Sequence, residues 1–247
     1  MLTFLRPLRV AVLSSHRCPG AADLLADPAL GRRWELACVF SSETDFETRP
    51  LFLDANVPFL SYPIRDFYRR RKARLSDMAV RREYDSAVAE LLRLWEPDLL
   101  LFSSYLYVAT PALLAAGAEG AINIHGSDLS LLDADGRPRY PGLHAVADAI
   151  LARQPETRAT AHWVTEEVDA GPVILRSCPY PVAPFVRDLI ADGNRRAVKA
   201  YACAHQEWML ADAWGPLAIQ AIRHAYAGRR APDLDLVPIP ALEASRT

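Results

Sequence analysis

An α/β fold built on a mostly parallel sheet flanked by helices is the class this sequence predicts, and three observations predict it. Arg9-Val10-Ala11-Val12-Leu13-Ser14-Ser15, Leu36-Ala37-Cys38-Val39-Phe40-Ser41-Ser42 and Leu99-Leu100-Leu101-Phe102-Ser103-Ser104 are continuous apolar runs that stop at small polar residues, as strands buried on both faces do. Segments of helical character separate them at the spacing that right-handed strand-helix-strand crossovers require. A fourth apolar run, Ala121-Ile122-Asn123-Ile124-His125-Gly126-Ser127, ends on an amide and an imidazole two residues apart.

The remaining elements follow in order. Residues 21–25 begin the first helix, and Val57-Pro58-Phe59-Leu60 is a short apolar stretch. Residues 65–95 are strongly charged, with Arg69, Arg70, Arg71, Lys72 and Arg74 close together. A solvated helix face is the commoner account of such a run, and a phosphate or carboxylate site the sharper one. Tyr84, Val88, Leu91, Leu92 and Trp95 have helical spacing and should pack on the sheet, and Glu96-Pro97-Asp98 ends that helix.

Thr110-Pro111 reads as an N-cap followed by proline at the first helical position, opening a short helix through Ala116. Residues 127–141 are polar and irregular, with a tight-turn signal at Asp135-Gly136. An amphipathic helix is expected over 142–153, with Leu143, Val146, Ala149 and Ile150 on one side. Two further strands, Ala159-Thr160-Ala161-His162-Trp163-Val164 and Val173-Ile174-Leu175-Arg176-Ser177, bracket the acidic turn Thr165-Glu166-Glu167-Val168-Asp169-Ala170-Gly171-Pro172. Residues 188–229 carry apolar helical stripes that either cover the sheet or form a homodimer interface, and 232–247 read as a loosely held tail. The expected division is a catalytic α/β domain over 9–185, a helical extension over 186–229 and a tail over 230–247.

Composition narrows the function classes. The 247 residues can bury a sizeable core, and a net charge of -2 gives no bulk attraction to nucleic acid or to an anionic membrane. Cys18, Cys38, Cys178 and Cys203 form no C-x-x-C pair, so neither a zinc site nor a disulfide framework is expected, and a reducing cytosol fits best. The first nine residues are too short and too interrupted for a signal region, and no apolar run reaches membrane-spanning length. A cytoplasmic protein acting on small molecules, without a metal, is the expectation.

In an extended segment, positions i and i+2 share a face, so Asn123 and His125 project together from the end of a buried strand. A turn cap and a satisfied core histidine would explain them if they stood alone. In open parallel sheets, however, ligands bind beyond the carboxyl ends of the strands, which is where His125 falls. Among the acidic residues, Asp169 stands apart because it precedes Ala-Gly-Pro, where the backbone must bend and can hold a side chain inward.

Three blocks, Asn123-Ile124-His125-Gly126-Ser127, then Tyr140-Pro141-Gly142-Leu143-His144, then residues 160–175 with their Thr-Ala-His-Trp-Val-Thr-Glu-Glu-Val-Asp-Ala-Gly-Pro-Val-Ile-Leu run, closely resemble the folate-dependent formyltransferases, and among them the glycinamide ribonucleotide transformylase branch. The resemblance covers roughly residues 9–228. It implies a Rossmann-like, mostly parallel α/β fold, a 10-formyltetrahydrofolate donor and a small-molecule amine acceptor. The family's catalytic Asn, His and Asp carry over onto Asn123, His125 and Asp169. An amine attacking a formyl carbon develops an oxyanion that needs donors, which Asn123 and a protonated His125 supply. Proton transfer from the amine to the departing nitrogen is general acid/base work, with Asp169 holding the imidazolium.

The same resemblance implies a folate pocket at Leu106, Tyr107, Val108 and Ala109, with Tyr107 where relatives commonly carry arginine, and a folate-binding loop containing Thr165, Glu166, Val168 and Asp169. Acceptor contacts are implied at Ser15, His16, Arg17, Tyr140 and Gly142. Here the chain departs from the pattern. Ribonucleotide-using relatives end the first strand in a loop resembling Ser-Gly-x-Gly-Ser-Asn, whose N–H groups cradle a phosphate. This chain has Ser14-Ser15-His16-Arg17-Cys18-Pro19-Gly20, with a proline that removes a donor. Gly126 replaces the family's proline, and the loop after Ser127 is longer, making Asp128, Asp133, Asp135, Arg137 and Arg139 candidate acceptor contacts. The expected acceptor is therefore an amino sugar, amino acid or biosynthetic intermediate rather than glycinamide ribonucleotide. Alternatives are a formyltetrahydrofolate hydrolase and a non-catalytic folate-binding protein. No Gly-x-Gly-x-x-Gly follows the first strand to suggest nicotinamide.

Overall fold

Alternation along the apolar runs decides the layers. In β1 (Leu8–Ser14) Val10 and Val12 enter one core cluster while Ala11 and Leu13 enter the other, so the strand is buried on both faces. The computed structural model describes residues 6–229, so the tail expected over 230–247 and most of the N-terminal stretch lie outside the described residues. After β1 come α1 (Ala21–Ala26), β2 (Trp34–Ser41), α2 (Arg49–Asp54), β3 (Phe59–Ser61), α3 (Ile64–Arg70), α4 (Met78–Arg93), β4 (Leu99–Ser103), α5 (Pro111–Leu114) and β5 (Ala121–His125). The second half comprises α6 (Ala145–Leu151), β6 (Glu156–Thr157), β7 (Thr160–Trp163), β8 (Val173–Arg176), β9 (Tyr180–Pro181), α7 (Val186–Ala191) and α8 (Arg195–Gly228).

Seven strands form one sheet in the order β3-β2-β1-β4-β5-β7-β8. The first five are mutually parallel, and β7 and β8 add to the edge antiparallel. β6 and β9 pair separately. One face of the sheet packs against α1, α6, α7 and α8 through Leu24, Val146, Ile150, Val186, Met209 and Ile222. The other packs against α3, α4 and α5 through Phe67, Tyr84, Val88, Leu92 and Leu113. The parallel strands run to a common carboxyl edge, which is where such sheets bind ligands.

Three local findings refine the sequence reading. The charged segment holds two helices, separated where Lys72 takes a positive φ of 53°, and α4 starts at an Asp77 cap that accepts from the N–H groups of Ala79 and Val80. In the cluster at 69–74 the arginines are exposed, and two of them are paired: Arg69 meets Asp66, and Arg71 meets Glu83 while lying over the Phe67 ring. The helix expected from 142 begins at Ala145, because Gly142 adopts a φ of +79° and donates its N–H elsewhere. Part of the C-terminal stripes covers the chain's own sheet, since Met209, Leu217, Ala218, Ala221 and Ile222 of α8 are buried against it and against α1, whereas Trp208 is exposed. Among the described residues no helix is long and apolar enough to cross a membrane.

Candidate active site

The end of β5 carries the polar residues that its alternation predicts. Ile122 and Ile124 point into the core shared with α6 and α8, which sends Asn123 and His125 to the opposite face. Antiparallel pairing with β7 sets His162 directly across from Asn123. Asp169 reaches the same place from the turn between β7 and β8. It holds a left-handed backbone at φ 54°, and Gly171 behind it is packed so closely that a Cβ there would lie 1.8 Å from the Trp163 carbonyl oxygen. The bend foreseen at Ala-Gly-Pro is thus a steric requirement for glycine.

Asp169 is the hub. Its Oδ2 accepts the Gly142 N–H at 2.7 Å and lies 3.4 Å from His125 Nδ1. Its Oδ1 lies 3.5 Å from Asn123 Nδ2 and 3.6 Å from His162 Nε2. The Nε2–H of His125 donates to the Tyr140 carbonyl at 3.0 Å, an oxygen that also accepts from Ser127 Oγ at 2.7 Å. One ring nitrogen of His125 is thereby fixed, and Nδ1 is left facing the carboxylate across a gap longer than a formed hydrogen bond, as catalytic contacts commonly are before a ligand binds.

His162 is assigned by its surroundings. Its Nδ1 faces the Trp163 carbonyl at 3.0 Å and so carries the proton, leaving Nε2 to accept from Asn123 Nδ2 at 3.1 Å. Burial depresses the basicity of this ring, with Asp169 opposing and His125 reinforcing the shift, so the neutral form is favoured. The neutral His162 thus fixes the orientation of the Asn123 amide. One amide N–H is used internally, and the second, only loosely directed at Asp169, is available to an oxygen in the cleft.

These groups open into a cavity of about 280 Å³. One wall is made by Tyr105, Leu106, Tyr107, Val108 and Ala109 after β4 and by Val164, Thr165, Glu166, Val168 and Asp169 after β7, so every predicted folate-pocket position lines the cleft. Helix α4 supports this wall: Arg81 donates to the Val108 carbonyl at 3.0 Å, and Asp85 accepts the Thr110 N–H at 2.7 Å. Tyr107 donates to Glu43 at 2.6 Å. The other wall is made by Ala145 and Val146 of α6 and by Gln206, Leu210 and Trp214 of α8. Among the described residues no group of His, Cys, Asp or Glu side chains is arranged to hold a metal ion.

Other expected contacts lie elsewhere. Gly142 lines the cleft, but Ser15, His16, Arg17 and Tyr140 do not. Ser15 is fully buried, its hydroxyl accepting the Leu106 N–H and meeting Ser42. His16 points to solvent, and Arg17 pairs with Glu207 of α8 at 2.6 Å. Tyr140 contributes its carbonyl through His125. In the long loop, Asp128 is held by Arg176 and Ser130, and Asp133 accepts the N–H groups of Asp135 and Arg137, so both build the loop itself. Sequence reasoning missed His162 and the three α8 residues. His162 stood inside a quoted motif, but its role follows from the β5–β7 register, and an amphipathic stripe carries no mark of which residues reach a cleft.

With this geometry established, comparison with known proteins is informative. The family model described as formyl transferase matches residues 8–184. The phosphoribosylglycinamide formyltransferase of Escherichia coli (strain K12) is 32% identical over 97 residues, 39% of this chain and 42% of that protein. A methionyl-tRNA formyltransferase of Methylacidiphilum infernorum is 35% identical over 80 residues, 32% of this chain and 22% of that protein. This chain therefore spans less than half the length of either relative. The crystal structure of glycinamide ribonucleotide transformylase 1 from Symbiobacterium toebii superposes with a TM-score of 0.58 at 27% identity, covering 82% of this chain and 86% of that one. Because the family match runs unbroken from β1 through the strand end, the cleft loops and the Asp169 turn, the chain belongs to the formyl transferase family.

Proposed function

We propose that this protein is an N-formyltransferase that moves a formyl group from 10-formyltetrahydrofolate to the amine of a small metabolite other than glycinamide ribonucleotide, such as an amino sugar, amino acid or biosynthetic intermediate. The observation that carries the reading is the convergence of Asn123, His125 and Asp169 at the mouth of a largely apolar cleft. The wall after β4 and β7 suits a flat heteroaromatic donor: Leu106, Val108 and Val168 are each at least 40% exposed although apolar, a surface that a ring would cover. When bound, the donor supplies an activated formyl carbon.

The chain's residues then have distinct tasks. The free N–H of Asn123 donates to the oxygen on which negative charge develops, a contribution of roughly a hundred- to a thousand-fold in related oxyanion sites. His125 offers Nδ1 to the same region and, when protonated, is held by Asp169, whose own position is fixed by the Gly142 N–H. Proton movement between the incoming amine and the leaving nitrogen is supported by this His–carboxylate pair, worth on the order of a hundred- to ten-thousand-fold. Overall one C–N bond forms, one breaks, and a proton passes from the amine to the folate nitrogen.

The loop after β1 supports an acceptor other than the ribonucleotide. Ser15 donates its N–H to the Ser104 carbonyl, Cys18 donates to Thr48, and Pro19 has none. A backbone cradle for a phosphate is thereby depleted. The reading is tested by incubating the protein with 10-formyltetrahydrofolate and a panel of amines, following formylated product by mass spectrometry. Formate released at the same rate with and without amine would instead mark a hydrolase.

A further inference from the structure

The two walls of the cleft come from opposite faces of the sheet. Tyr105, Tyr107 and Val164 belong with the α3–α5 core, whereas Val146, Leu210 and Trp214 belong with the α6–α8 core. The second wall owes its place to glycine. A Cβ on Gly20 would lie 2.4 Å from Gly215 Cα, and one on Gly215 would lie 1.9 Å from Asp23 Oδ2, so two glycines in contact let α8 settle on the loop after β1. The Arg17–Glu207 ion pair ties the same two segments. Gly126, beside His125, is part of this fit, because a Cβ there would stand 3.2 Å from Val146 Cγ2 and 3.8 Å from the Trp214 ring.

Charge is equally specific. Among the described residues that line the cleft there is no lysine or arginine, while Glu166, Glu167 and Asp169 contribute carboxylates. A phosphate seated there would meet like charge with no arginine or lysine to pair with, whereas an amine meets complementary charge. The Val146–Leu210–Trp214 surface is apolar and buried, and Gln206, half-buried, is the polar side chain that α8 adds to it.

Resting on the transferase reading above, we propose that α8 is the acceptor-selecting element and that the acceptor is an unphosphorylated amine with an apolar body, seated against Val146, Leu210 and Trp214 with Gln206 bonded to its polar substituent. The element lies beyond the 8–184 family match, so selection is assigned to a part of the chain outside the shared catalytic domain.

The test compares matched amines with and without a phosphate, tyramine against its O-phosphate and glucosamine against glucosamine 6-phosphate, with 10-formyltetrahydrofolate as donor. Wild-type kcat/KM should favour the unphosphorylated member of each pair by roughly a hundred-fold, and tyramine over glucosamine. Gln206→Arg, at a half-buried position, should narrow the phosphate discrimination at least roughly ten-fold by supplying a guanidinium. The same ranking should appear in calorimetric binding with a non-reactive folate analogue bound. A wild-type preference for the phosphorylated amines, or discrimination unmoved by Gln206→Arg, overturns the inference while leaving the transferase reading intact. Folate binding with no formylated amine from any member of the panel overturns the transferase reading and the inference with it.

Discussion

Replacing Asp169 by Asn is the sharpest test of the site, because it removes one charge while keeping the side chain's shape. The Gly142 N–H donates to Oδ2 at 2.7 Å, so the amide oxygen of the new residue must take that position. Its NH2 then falls where Oδ1 was, 3.5 Å from the Asn123 amide nitrogen and 3.6 Å from His162 Nε2. It competes with Asn123 for the His162 lone pair and presents a donor to a donor. The larger loss is electrostatic. At 3.4 Å and an effective dielectric of about 20, a protonated His125 and an ionised Asp169 attract by about 5 kcal/mol. An amide dipole recovers part of this, and each 1.4 kcal/mol is a factor of ten in rate, so kcat should fall on the order of a thousand-fold. The assay is formyl transfer to the best amine of the panel at saturating donor, with thermal unfolding as the control that the variant is folded. A folded Asp169→Asn protein within about threefold of wild-type kcat would refute the role assigned to the carboxylate.

Three further outcomes follow from the same geometry. His162→Ala should leave the part-buried Asn123 amide short of an acceptor, costing about 1 kcal/mol of stability and lowering kcat more than it raises KM; an effect confined to KM would show that His162 does not orient the amide. Gly171→Ala places a methyl group 1.8 Å from the Trp163 carbonyl oxygen and should destabilise by about 3 kcal/mol or more, read by urea unfolding, with unchanged stability contradicting the steric argument. Asp85 is fully buried, and burial pushes its carboxyl up to about 6 from the ordinary 3.8. The folded state therefore holds this proton more tightly than the unfolded chain, so its stabilising contribution is complete below about pH 4 and is lost as pH rises through about 6, amounting to about 3 kcal/mol. Asp85→Asn should abolish that slope in the pH dependence of unfolding, and an identical slope in the variant would assign it to another group.

The sequence made some of these features readable and hid others for physical reasons. The parallel strands were legible because continuous apolar runs have few other uses, and Asn123 and His125 were legible because a two-residue period puts them on one face. Asp169 could be singled out because a Gly-Pro bend constrains the chain locally. His162 could not, since its contact with Asn123 depends on the register between antiparallel strands 39 positions apart in the hydrogen-bonded pair. The arginine cluster at 69–74 was correctly weighed as a solvated face. Asp128 and Asp133 attracted attention as charges near the site, but turn-rich loops use carboxylates to satisfy their own N–H groups, and both are used that way: Asp128 accepts the Ser130 N–H, and Asp133 accepts those of Asp135 and Arg137.

The difference between the two halves of the cleft has the same origin. The wall proposed for the folate is assembled from segments that immediately follow β4 and β7, so each residue's place is set by a strand end only a few positions away. The wall proposed for the acceptor depends on α8, whose first cleft residue, Gln206, lies more than eighty positions beyond His125 and whose approach is set by Gly20 meeting Gly215. Neither glycine has any local signature of that contact. A loop that has lost its phosphate-cradle pattern would, by itself, suggest only a missing function. With α8 resting on it, the same loop becomes a foundation: Pro19 lacks an N–H donor, and Gly20, without a Cβ, leaves room for Gly215 of the helix to pack against it. The same glycine contact that seats α8 on the β1 loop therefore also brings Leu210 and Trp214 to the cleft, so the two features of this chain's second wall share one cause.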